Sequence, residues 1–174
     1  MNDNKKKYLR FGAMILTSMT AMFVFMYLNT YALGHVHFSE TRFYMTLIMG
    51  AAMAVIMLLY MLGMYQNKAV NISILAGSAA LFLLAVFLVR SQVLVGDRSY
   101  MMGMIPHHSI AILTSERANI EDVRVRELAD EIIRAQRREI KEMEWLIEDI
   151  AANGAAETQG EAQLRPVPDF EGEV

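Results

Sequence analysis

Three long apolar runs, separated by short polar stretches, fill the first half of the chain over about residues 11–33, 43–65 and 72–89. Each run is long enough to cross a bilayer core of about 30 Å as a helix, and none contains Asp, Glu, Lys, Arg or His. A basic flank before an apolar run is also typical of a signal peptide. The first run is longer than the apolar part of a signal peptide, and two more runs follow it. The pattern therefore predicts three transmembrane helices, the first of them uncleaved.

Beyond residue 96 the pattern becomes that of amphipathic helices. Asp97 can cap a helix that continues to about residue 118, with Pro106 at its start or inside it. The polar stretch 119–122 favours the start of a second helix, which ends near Asn153-Gly154. Its apolar positions recur at steps of three and four: Val125, Leu128, Ile132, Ile133, Ile140, Met143, Ile147 and Ile150.

These patterns predict an all-α protein in which three transmembrane helices precede an extramembrane helical hairpin. The predicted segments are a basic N-terminus over 1–10, a membrane region over 11–95, a helical domain over 96–153 and a disordered tail over 154–174. Two helices alone form a thin core. We therefore expect the hairpin to pack on another copy of the chain or to dock on the membrane helices, with the lipid bilayer as the other partner.

The lysine and arginine bias predicts the orientation. With the N-terminus inside, Lys5, Lys6, Lys7, Arg10 and Lys68 lie on the cytoplasmic side. Three spans then place the short loop after the first helix and everything after residue 90 on the outer side. All four histidines of the chain would lie there. The expectation is a multi-pass protein of a bacterial inner membrane, with its C-terminal domain in the periplasm or outside the cell.

Composition narrows the chemistry. The 55% hydrophobic content exceeds the usual range of soluble proteins, and the net charge of -3 does not favour a nucleic-acid partner. The absence of cysteine excludes disulfides, thiolate catalysis and cysteine-based zinc or iron–sulfur sites. Sulfur for a soft metal can then come only from the 15 methionines.

The densest group of metal-binding side chain types is the stretch Met101–His108. On a helix, Met101, Met104 and His108 fall within about 60° of one another, and His107 lies to the other side of Met104. An antiparallel hairpin brings Met143 near this face. Because thioethers select Cu(I) and imidazole suits copper, the arrangement predicts a copper site, with Glu139 accepting a hydrogen bond from a ligand imidazole.

Each of these features also has a purely structural interpretation. Methionines fill gaps in apolar cores, and a His pair after a proline is often a surface or capping feature. Methionines recur at steps of four and then three along the second apolar run: Met45, Met49, Met53, Met57, Met61 and Met64. This methionine ladder can pack helices in lipid as well as pass Cu(I). Met102, His35 and His37 are further candidates, although the two loop histidines can equally be interfacial residues.

One family resemblance joins these residues. The segments Asp97–His108 and Leu128–Ile140, together with Met143, resemble the DUF305 family, in which an M-x-P-H-H-type motif precedes an I-x-x-x-Q-x-x-E-I-x-x-M helix. The resemblance implies a ferritin-like fold and copper binding. It implies metal ligation by Met101, Met104, His107, His108 and Met143, with Gln136 and Glu139 as family helix residues. In place of a further methionine that members often carry, this chain has Ile110–Thr114.

The leading hypothesis is a membrane-anchored protein that binds copper, preferably Cu(I), for tolerance, storage or delivery. The alternative is a structural or oligomerisation module of the cell envelope without bound metal. An enzyme is not expected, because no Ser/His/Asp signature, phosphate loop or convincing carboxylate pair is present. The Glu-x-x-His pairs of a di-iron bundle are also absent.

Overall fold

The computed structural model describes residues 3–172. Over these residues the secondary structure is helical, with a short 3-10 turn at Leu33–His35 and no strand, which confirms the predicted all-α class. The helices are α1 (Asp3–Phe25), α2 (Glu40–Tyr60), α3 (Lys68–Ser91), α4 (Asp97–Arg117), α5 (Val123–Asn153) and α6 (Gln159–Leu164). They form two compact units: unit 1 contains residues 3–28 and 40–95, and unit 2 contains residues 29–39 and 96–172.

In unit 1, α2 packs against both α1 and α3. A core cluster of buried side chains forms where they meet: Phe11, Ile15, Ala54, Leu58 and Tyr65. Most of the outer surface of α1 and α3 is apolar and exposed, and α1, α2 and α3 are each long and apolar enough to cross a membrane. Exposed apolar surface of this extent is stable against lipid and not against water, so unit 1 has the surface of a membrane-embedded region.

Polar contacts close one end of unit 1. The Tyr8 hydroxyl on α1 donates to Oδ1 of Asn71 on α3 at 2.8 Å, and Asn71 Nδ2 donates to the Tyr65 carbonyl oxygen at 2.7 Å. The rings of Tyr8 and Tyr65 lie 5.1 Å apart. Since Asn71 is buried, these bonds satisfy polar groups that would otherwise be unpaired in an apolar environment.

The first apolar helix lies closer to the N-terminus than predicted. The apolar run predicts a helix over about 11–33, whereas α1 begins at Asp3 and ends at Phe25. Arg42 donates to the Met26 carbonyl oxygen just past the end of α1, which satisfies a carbonyl that the helix leaves without an internal partner. The apolar residues that follow do not extend the span. Residues 29–39 belong to unit 2, although the sequence placed them in the membrane region.

Unit 2 is built on the α4/α5 hairpin. Asp122 caps α5, its Oδ1 accepting from the Arg124 backbone N–H at 2.9 Å, and α5 ends at Gly154, whose φ of 80° suits glycine. The predicted bounds of α5 therefore hold to within about a residue. The predicted cap of α4 was wrong by one position, because Gly96 is the N-cap and Asp97 is the first helical residue.

The chain after α5 is more ordered than its composition suggests. The lack of periodicity predicts no structure after residue 154, yet α6 forms there, and Thr158 caps it by accepting from the Glu161 backbone N–H. Arg165 then returns to α5, where its Nη1 lies 2.6 Å from Oδ2 of Asp149. This ion pair and the bond from Lys141 Nζ to the Glu171 carbonyl oxygen connect the segment to α5, and neither leaves a hydrophobic signal in the sequence.

Candidate metal-binding site on the hairpin

Methionine side chains from both helices of the hairpin meet in one cluster. Met101 of α4 and Met143 of α5 are 6% and 9% exposed and pack with Ile105, Ile112 and Ile140. Met104 is partly buried and packs against the same cluster. The hairpin thus brings together the three methionines that the sequence proposed as ligands.

The local sequence explains this arrangement. Buried positions of α4 recur at steps of three and four from Met101 through Ile105 and His108 to Ile112, so they form one stripe along the helix. The antiparallel α5 presents Ile140 and Met143 to that stripe. Pro106 lies inside α4 and is itself buried, so the helix continues through it.

His108 lies beside the methionines and is 8% exposed. Its Nδ1 is 2.9 Å from the Met104 carbonyl oxygen, and its Nε2 is 2.7 Å from Oε2 of Glu139. A carbonyl oxygen only accepts, so Nδ1 carries the hydrogen. A carboxylate oxygen also only accepts, so the contact with Glu139 needs a proton between Nε2 and Oε2. A metal can bind Nε2 only if this contact opens and the proton leaves. The predicted contact between Glu139 and an imidazole is present, and the Met104 carbonyl oxygen engages the other ring nitrogen.

His107 and Met102 lie differently. His107 is exposed, and its ring centroid is 6.1 Å from that of His108, with the two planes tilted by 66°. Met102 is partly buried and is not among the side chains that pack in the methionine cluster. Of the two histidines in the pair, only His108 is buried in the hairpin.

The loop that precedes α2 contributes to unit 2 through Ser109 of α4. The Tyr31 backbone N–H donates to the Ser109 hydroxyl at 2.7 Å, and His35 Nδ1 lies 2.9 Å from the same oxygen. Ser109 is fully buried. Sequence reasoning missed it, although its position one residue after His108 on the buried stripe was an available signal.

A small cavity lies beside His35. It has a volume of about 230 Å³ and is lined by Tyr31, His35, Ile112, Arg137, Ile140, Lys141 and Glu144. Burial lowers the pKa of His35, which Glu144 partly offsets, so the imidazole is favoured in its neutral form. The other loop histidine, His37, has a buried Nε2 without a hydrogen-bond partner.

The remaining candidates do not complete a site of hard ligands. Across residues 3–172, no three His, Asp or Glu side chains are grouped closely enough to hold a metal ion. Gln136 Nε2 is 3.5 Å from Oε2 of Glu139, which adds one weak contact to the His108 pair.

Comparison with known proteins identifies the family to which the hairpin residues belong. The family model described as a domain of unknown function, DUF305, matches residues 97–169. An uncharacterised protein of Acanthamoeba polyphaga mimivirus is 33% identical over 145 residues, which cover 79% of this chain and 93% of that protein. The chain belongs to the DUF305 family. No solved structure matches it.

The DUF305 match separates the site residues into two groups. The methionine cluster, His108, Glu139 and Ser109 lie inside residues 97–169. Tyr31, His35 and His37 lie outside that range, in the loop that joins unit 2 from between α1 and α2. In this chain a segment between two membrane helices thus packs on the DUF305 domain.

The methionine ladder of α2 lies in unit 1. Met53, Met57 and Met61 pack against the core cluster there, and Met19 of α1 contacts Gly50 so closely that a Cβ at that position would overlap it. These positions favour the packing interpretation of the ladder.

Proposed function

We propose that unit 2 is a binding module for copper, preferentially Cu(I), with Met101, Met104, Met143 and His108 as its ligands. The observation that carries the proposal is that three thioethers from two helices meet in one cluster beside a buried imidazole. Soft sulfur ligands favour Cu(I), and a chain without cysteine has no stronger soft ligand to compete with them. The module is a binding protein for tolerance, storage or delivery and not an enzyme.

His108 supplies the fourth ligand after a local exchange. Its Nδ1–H stays on the Met104 carbonyl oxygen, which holds the ring in one orientation. The Glu139 carboxylate, whose side chain is 38% exposed, turns to solvent and releases to water the proton that it shares with Nε2, so that the Nε2 lone pair can bind the metal. His107 and Met102 are then not required as ligands, although the exposed His107 is well placed to capture an incoming ion.

The proposed topology follows from the order of helices and units. The loop 29–39 and the hairpin belong to one unit, and the chain between them contains two membrane helices. Two crossings return the chain to the same side of the membrane, so three spans are consistent with this unit. The lysines before α1 and Lys68 favour an N-terminus on the cytoplasmic side, which places unit 2 on the opposite side.

The test is a competitive titration with Cu(I) under reducing conditions, on the full-length chain in detergent. The full chain is needed because Tyr31 and His35 are part of unit 2. Replacing Met101, Met104 and Met143 together by Leu keeps the packing but removes the sulfur. Loss of one supporting group around a metal weakens binding by about 10–100-fold, so loss of three ligands should exceed about 100-fold. Zinc binding should be unchanged.

The matched control replaces three methionines of unit 1, Met45, Met49 and Met64, by Leu. This variant should bind Cu(I) as the unmodified chain does. Equal loss in both variants would move the site into the membrane and contradict the assignment to the hairpin.

A second candidate function has its own observation. Met101 and Met143 pack among isoleucines as ordinary core residues do, which favours a structural module without metal. The titration separates the two: a chain that binds no Cu(I), with a triple variant that melts at the same temperature, supports the structural function.

A further inference from the structure

A row of exposed apolar side chains lies on the first half of α5. Val125, Leu128 and Ile132 are 50%, 56% and 36% exposed, and their spacing of three and then four residues places them on one face of the helix. Ala129 and Ile133, on the neighbouring face, are buried in unit 2. We call the exposed row the α5 patch. It leaves apolar area in water that a partner would cover.

The α5 patch is nearly symmetric about Leu128, since Val125 precedes it by three residues and Ile132 follows it by four. If a second copy of α5 lies antiparallel with a two-fold axis at Leu128, each Leu128 meets its equivalent and each Val125 lies within one residue of the partner's Ile132. A two-fold interface requires this kind of self-complementary surface.

The charges beside the α5 patch fit the same axis. Arg124 and Glu131 are seven residues apart, so they lie on one edge of the patch. The antiparallel arrangement places Arg124 next to the partner's Glu131, and the symmetry repeats this pair. A parallel arrangement would instead pair Arg124 with Arg124 and Glu131 with Glu131, which is unfavourable.

Arg124 has the capacity for this second contact. Its Nη2 lies 2.7 Å from Oδ2 of Asp122, and its side chain is 89% exposed. A guanidinium has five N–H donors, so the pair with Asp122 leaves donors for another carboxylate.

We propose that α5 is a homodimer interface, in which two chains pair antiparallel about Leu128 with two Arg124–Glu131 ion pairs. Three side chains from each copy are fewer than the 20–30 residues a stable interface of about 800 Å² per partner contributes. Confinement of both chains to one membrane compensates, because it raises their effective concentration. The proposal does not depend on copper binding.

The absence of native cysteine makes the pairing directly testable. In membranes that contain the full-length chain, a Leu128→Cys variant should form a cross-linked dimer with a short bismaleimide, which avoids copper-based oxidants. Arg134→Cys is the matched control, since it is an exposed residue on the opposite side of α5 and should give no dimer. Equal cross-linking by both variants would indicate random collision and overturn the proposal.

The register is tested with two further variants, Arg124→Cys and Glu131→Cys. Mixed together, they should cross-link to each other more than either does alone. Dominant cross-linking within Arg124→Cys alone would show a parallel pair and refute the antiparallel interface. Exchanging the two charges, as Arg124→Glu with Glu131→Arg, should restore the Leu128→Cys dimer that either single reversal weakens. Because none of these readouts involves metal, they can fail while the copper titration succeeds, and the reverse.

Discussion

The two halves of α5 have the same kind of apolar stripe but different surroundings. In the second half, Leu146, Ile147 and Ile150 pack against the methionine cluster. In the first half, Val125, Leu128 and Ile132 remain exposed. Met101 and Met104 of α4 add to the hairpin core at the end where α4 begins. The hairpin therefore combines a closed region suited to a ligand with an open region suited to a partner.

Substitution of two adjacent isoleucines is the strongest test of the difference between the buried and the exposed face of α5. Ile133 is 1% exposed and Ile132 is 36% exposed. Replacing Ile133 by Ala should lower the free energy of unfolding of unit 2 by about 2–5 kcal/mol, because it creates a cavity in a packed core. Replacing Ile132 by Ala should cost less than about 1 kcal/mol in dilute detergent, because dilution out of the membrane dissociates the proposed dimer.

Thermal melting followed by circular dichroism measures both variants. The same experiment at high protein concentration sharpens the proposed dimer interface, since the cost of Ile132→Ala should then rise while that of Ile133→Ala stays constant. Equal costs for the two isoleucines at low concentration would contradict the difference between the two faces.

The sequence predicted the parts of this protein that repeat and missed those that depend on single contacts. Apolar length and periodicity correctly predicted the helical class, the three apolar helices and the hairpin with Met101 near Met143. They missed the end of α1, because residues 26–33 are mostly apolar after the helix stops, interrupted only by Asn29 and Thr30. The loop 29–39 belongs to unit 2 through contacts that include hydrogen bonds to Ser109. The periodicity of the sequence does not predict single contacts of this kind.

The geometry around His108 was also only half predictable. The spacing of α4 and α5 indicated that His108 and Glu139 would be close. It could not indicate that the Met104 carbonyl oxygen would take Nδ1, because a backbone acceptor is equally present at every residue. That one contact changes the expected role of Glu139 from a support for the ligand into a competitor with the metal.

The loop 29–39 packs on α4 through Ser109. A substitution at Ser109 therefore measures how much the loop contributes to the stability of unit 2. Ser109→Ala removes the acceptor of the Tyr31 N–H and the partner of His35. Leaving a buried donor unpaired costs about 1–3 kcal/mol, so unit 2 should melt earlier and the amide of Tyr31 should exchange hydrogen faster. The control is Thr114→Ala, an exposed residue whose hydroxyl bonds only to its own helix, and it should change stability by less than about 0.5 kcal/mol. Equal effects of the two variants would mean that the loop is not held through Ser109.

Glu139→Ala has the smallest expected effect on stability. The direction of its effect on Cu(I) affinity is the most informative of these measurements. Glu139→Ala removes the contact with His108 Nε2, which solvent can partly replace at this half-exposed carboxylate, so the loss should be about 1 kcal/mol. A supporting role predicts weaker Cu(I) binding in this variant. The competing role predicts binding that is unchanged or tighter, because Nε2 no longer has to leave the carboxylate. Glu142→Ala is the control, since Glu142 forms an ion pair within α5 with Arg138 and should alter neither quantity measurably. Competitive Cu(I) titration of both variants measures the sign, and a clear loss of affinity confined to Glu139→Ala would return that residue to the supporting role.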